Sequence, residues 1–128
     1  MTVDRSQLPV PTASRPFHFS HIEKSTLATG LGVWTVSHPS IPVVTLMLLL
    51  RRGAADDPLG REGLAAVTID MLDEGSGERS AIEIHEALAR VGAQLDSDIS
   101  ADASVLTVTC LSRFTGEALE LLGDMVDR

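Results

Sequence analysis

The residues of this chain that could do chemistry are few and scattered. Histidines stand at His18, His21, His38 and His85, and the single cysteine is Cys110. His18 and His21 lie three apart in a Pro-rich stretch, a spacing that could bring two imidazoles to one metal ion. No third donor is near them in sequence, and a solvated pair accounts for them. His38 precedes Pro39 in a loop, and His85 lies near Glu83 and Glu86 on a helix; both read as surface or boundary residues. Asp73 and Glu74 form an acidic pair that could attract a metal or a cationic peptide, but Gly75-Ser76-Gly77 follows at once and a solvated loop explains them. A lone cysteine neither closes an internal disulfide nor builds a multi-thiolate metal site. Cys110 falls in an apolar alternating run, where an unpaired thiol packs like a small hydrophobe.

The elements that must position these groups follow from periodicity and turn residues. Pro9, Pro11 and Pro16 remove backbone donors and fix φ, so residues 1 to about 20 read as an extended arm. Glu23 to Leu27 and Leu31 to Ser37 flank Thr29-Gly30, a hairpin signal. Val43 to Leu50 is a nearly continuous apolar run of strand length, which fits a strand covered on both faces or at a sheet centre, and it is expected in the middle of the sheet. A helix is predicted over Glu62 to Leu72, apolar nearly all round and therefore buried. Ser80-Ala81-Ile82-Glu83 has the spacing of a capping box that starts a second helix. Ile84, Leu88 and Val91 form the apolar stripe of that helix, Glu86 and Arg90 are spaced to pair on its solvent side, and Gly92 ends it.

Ala93 to Ser100 and Leu106 to Leu111 alternate with the period of two of half-buried antiparallel strands, turning near Ala101-Asp102-Ala103. From Thr115, Ala118, Leu119, Leu122, Met125 and Val126 repeat at helical spacing, and the chain reaches Arg128 without a stop residue, so it reads as cut. The order β, β, β, α, α, β, β, α implies an α+β domain, an antiparallel or mixed sheet with helices packed on one face. Residues 21 to 128 would be the N-terminal part of such a domain.

Composition narrows the classes of partner. A chain of 128 residues with 44% hydrophobic content suits one domain or part of one. The formal net charge of −8 opposes a phosphate backbone or an anionic membrane, and with no Tyr, one Trp and three Phe there is no stacking platform for bases. Nucleic acid and membrane are thus not expected as partners. Met1 to Pro9 contains no basic region leading into an apolar core, so the expected location is cytoplasmic. The longest apolar stretch, Ile41 to Leu50, is far short of the ~20 residues of a membrane helix.

From Leu27 onward the chain resembles the N-terminal part of the insulinase, or pitrilysin, family of zinc peptidases, which includes mitochondrial processing peptidase and core proteins of a respiratory complex. The features that carry the resemblance come in order: Leu27 to Val33 with Gly30-Leu31-Gly32; Leu50-Arg51-Arg52-Gly53-Ala54; Gly63-Leu64-Ala65 opening a helix; and Met71-Leu72-Asp73-Glu74-Gly75-Ser76 closing it. Arg79-Ser80 into Glu83-Ile84, Val91-Gly92-Ala93 and Ala118 to Leu122 follow. Active members of the family carry H-x-x-E-H between the landmarks matched by Gly63 and Gly75. Two imidazoles four apart share one helix face and hold zinc, while the Glu activates the bound water.

In this chain the resemblance puts those positions on Ala66, Ile69 and Asp70. Ala66 has no donor atom, Ile69 cannot take a proton, and Asp70 offers one short carboxylate, which is not a zinc site. Asp70 reads as a carboxylate at the helix edge near solvent. The family's remaining ligand, a Glu on a later helix, is expected beyond Arg128. The resemblance therefore implies no catalytic residue, no bound metal and no cofactor in this chain. It implies a non-catalytic member that pairs with a homologous zinc-bearing subunit in peptide hydrolysis and contributes surface to peptide binding. The alternative is a structural or assembly protein of the same fold with no proteolytic role. Self-association is expected through a strand edge or through the Ala118, Leu122 and Met125 face of the last helix.

Overall fold

The computed structural model describes Ser14 and residues 16–127. The chain divides into two compact units between Pro39 and Ser40. In the first, Ser14 and residues 16–21 carry no regular element; the remainder of the expected arm lies outside the described residues. Strands β1 (Ile22–Thr26) and β2 (Gly32–Val36) pair antiparallel, with Lys24 opposite Trp34. Gly30, at φ +89°, makes the left-handed step of the turn, and Lys24 Nζ sits 3.9 Å from the Trp34 ring centroid, a cation–π contact.

The second unit holds the helices. Its elements are β3 (Val43–Leu50), α1 (Leu64–Asp70), β4 (Gly75–Ser76), β5 (Arg79–Ser80), α2 (Ala81–Arg90), β6 (Gln94–Ile99), β7 (Ser104–Leu111) and α3 (Thr115–Asp127). Strands β3, β7 and β6 form an antiparallel sheet in that spatial order, and β4 and β5 form a separate two-residue ladder. Leu106, Val108 and Cys110 point from β7 into the core, joined there by Ile69 of α1, Ile84 and Leu88 of α2, and Ala118, Leu121, Leu122 and Met125 of α3. The helices therefore cover one face of the sheet. Desolvation pushes the Cys110 thiol above its ordinary range, which keeps it protonated as a packing group.

Four expectations are corrected. Val43 to Leu50 is not the sheet centre: among the described residues β7 is central and β3 is an edge. Val44, Leu46 and Leu48 of β3 are half-buried under the helices, whereas Met47, 67% exposed, and Leu49 face outward. A continuous apolar run fits a doubly covered strand, but it fits a strand with one greasy open face equally well. The first helix is shorter than Glu62 to Leu72 and is buried along one side only, with Leu64, Val67 and Met71 exposed. Gly63, at φ +94°, cannot continue a helix backward, and the Asp57 carboxylate accepts from the Gly63 N–H at 2.7 Å and the Ala65 N–H at 2.9 Å, which fixes the start. In α3 it is Leu121 that packs inward while Leu119 and Val126 are exposed, so the Ala118, Leu122 and Met125 face offered for self-association is already buried against the sheet. Glu86 and Arg90 make no ion pair among the described residues.

The capping box is present. The Ser80 N–H and hydroxyl each donate to Glu83 Oε2 at 2.8 Å, and the Glu83 N–H donates to Ser80 Oγ at 3.4 Å. Those donors hold the Glu83 carboxyl below its ordinary value of 4.5. Asp56, which accepts from the Gly53 N–H and from Arg52, is lowered for the same kind of reason. A carboxylate depressed on folding contributes stability above its unfolded pKa and loses it as pH falls through the folded value. Glu83→Gln should therefore flatten the acid limb of a stability–pH curve, and Ser80→Ala should lower stability by about 1 kcal/mol. Urea unfolding from neutrality down through the carboxylate range checks both; an acid limb unchanged in Glu83→Gln would show that the ionised Glu83 carboxylate contributes nothing, and an unchanged Ser80→Ala would show the same of the cap. Among the described residues no helix is long and apolar enough to cross a membrane.

Candidate functional site

Helix α1 lies against β6 and β7 and carries all three positions at issue, Ala66, Ile69 and Asp70. Ala66 is half-buried and Asp70 is exposed one turn further along the same side. Ile69 is only 5% exposed and belongs to the hydrophobic core. Where a catalytic helix would need a carboxylate open to a bound water, this chain packs a branched aliphatic side chain against Leu106 and its neighbours.

Two polar contacts surround this point. Ser97 of β6 donates its hydroxyl to Asp70 Oδ1 at 3.4 Å, an exposed and weak bond. His85 Nε2 of α2 is 3.5 Å from Asp73 Oδ2, just past the end of α1. That pair is open to water, so it is worth little to stability. Between them lies a cleft of about 50 Å3 lined by Ile69, Leu72, Asp73, Leu95, Ser97 and Leu106. Its wall is mostly aliphatic, with one carboxylate and one hydroxyl.

The donor set does not fit a zinc ion. Zinc takes three or four His, Cys or carboxylate ligands in close tetrahedral array, and among the described residues no three His, Cys, Asp or Glu side chains converge in that way. Of the other histidines, which belong to the first unit, His18 and His21 are exposed ahead of β1, and His38 is exposed between β2 and β3. The arrangement offers neither a nucleophile paired with a base nor a metal-activated water. What it offers is a helix-lined groove floor beside the β6 edge.

Asp57, Ser97 and the His85–Asp73 contact were not foreseen from sequence. Asp57 reaches Gly63 and Ala65 from six and eight residues away, outside the spacing of ordinary caps. Ser97 meets Asp70 across 27 residues, a contact that only the packing of α1 on β6 creates.

Residues 32–128 match the family model for insulinase, peptidase family M16. No match is found among the curated proteins. Among solved structures, the chain is similar to a peptidase M16 inactive domain from Pseudomonas fluorescens, with a TM-score of 0.76 and 25% identity over 83% of this chain and 26% of that one. It is similar in fold to a protease from Helicobacter pylori, with a TM-score of 0.77 and 20% identity over 84% of this chain and 26% of that one. Pitrilysin gives a TM-score of 0.74 and 21% identity over 84% of this chain and 12% of that one. The chain thus spans about a quarter or less of the length of these proteins. A family match over residues 32–128, on an α+β unit whose helices cover one face of an antiparallel sheet, means that the chain belongs to the insulinase, or M16, peptidase family.

Proposed function

We propose that this chain is part of a non-catalytic M16 subunit that pairs with a zinc-bearing homologue and contributes chamber surface, rather than chemistry, to peptide hydrolysis. The observation that carries this reading is the conversion of the catalytic helix to packing: Ile69 sits in the core, Ala66 has no ligand atom, and Asp70 engages Ser97. The likeness to an inactive M16 domain supports it. On this reading the partner holds the metal and activates the water, while this chain supplies shape and peptide contacts in the manner of paired processing peptidases.

The test is reconstitution. The full-length gene product, mixed with an M16 homologue that carries H-x-x-E-H, should form a stable complex and raise cleavage of unstructured peptides over that homologue alone. A complex that forms without any change in cleavage would favour the structural role; no complex at all would overturn the pairing. A second measurement concerns the metal directly. After dialysis the purified chain should hold far less than one equivalent of zinc, because the donors needed to retain it are missing. One tightly held zinc per chain, measured by elemental analysis, would overturn the non-catalytic reading.

A further inference from the structure

We draw no further inference here: the strongest candidate, the free edge and outward apolar face of β3 with Val43, Met47 and Leu49, is open among the described residues, and nothing in the structure shows what covers it.

Discussion

Ile69→Glu will destabilise this chain by roughly 3 kcal/mol or more, the sum of lost apolar burial of ~1.5–3 kcal/mol and the penalty for desolvating a carboxylate. In an active family member a glutamate at this helix position faces the metal-bound water and is served by it. Here the position is 5% exposed and surrounded by core residues, so no water or cation would compensate the charge. Against a typical folding stability of 5–15 kcal/mol, roughly 3 is a large part of the margin. Ile69→Val should lower stability by only ~0.5–1.5 kcal/mol, because one methylene is removed and the shape is kept. Asp70→His, at an exposed position, should change it by less than about 0.5 kcal/mol.

The penalty should also depend on pH with a definite sign. Burial raises a carboxyl pKa, so Ile69→Glu folds best protonated, and its deficit relative to Ile69→Gln should shrink as pH falls toward the unfolded carboxylate value. Urea unfolding of the three chains, parent, Glu and Gln, at neutral and acid pH reads this out. Adding Ala66→His and Asp70→His to Ile69→Glu should not produce metal-dependent cleavage, since two imidazoles leave zinc short of its third protein ligand. If Ile69→Glu were as stable as the parent, or if the triple variant cleaved peptides in a chelator-sensitive way, the conversion of this site to core would be wrong.

How much of this was legible beforehand depends on how local each signal is. Ser80 with Glu83, and Gly92 at φ +62°, act within one helical turn, so residue type alone located both ends of α2. The alternation of β6 and β7 survived for a similar reason: a period of two over six or eight residues is hard to imitate. By contrast, the eight apolar or near-apolar residues of β3 do not encode how many neighbours the strand has, so its edge position was missed. The all-round apolarity of α1 likewise says nothing of a helix that covers a narrow sheet from one side. The site itself was readable only through ordered resemblance, because Ala66 and Ile69 carry no chemistry of their own. That Ile69 had been absorbed into the core depended on the packing of α1 against β6 and β7, which sequence spacing does not reveal.

Gly53→Ala is expected to lower stability by roughly 3–5 kcal/mol, although alanine suits the backbone there. The Gly53 torsions, φ −148° and ψ −163°, are extended, so no left-handed strain is at issue. The obstacle is the close approach of the β6–β7 turn: a Cβ at this position would meet the Ser100 carbonyl oxygen at 2.4 Å, the Ala103 nitrogen at 2.6 Å and the Ala101 carbonyl carbon at 2.7 Å. All three are backbone atoms, so no rotamer change relieves the overlap and the turn itself must retreat. Retreat breaks the bonds from the Ala54 N–H to Ser100 O at 2.9 Å and from the Ala55 N–H to Ala101 O at 2.8 Å, each worth about 1 kcal/mol. Overpacking adds ~1–3 kcal/mol. Gly123→Ala provides the opposite case: it lies within α3 with open space around its Cβ, and the same substitution there should stabilise by up to ~1 kcal/mol through helix propensity. Unfolding midpoints of the two variants should thus move in opposite directions, and hydrogen exchange at the Ala54 and Ala55 amides should quicken only in Gly53→Ala. Equal, small shifts in both would mean that the segment after β3 has room to give, and that Gly53 does not hold the sheet end against the β6–β7 turn.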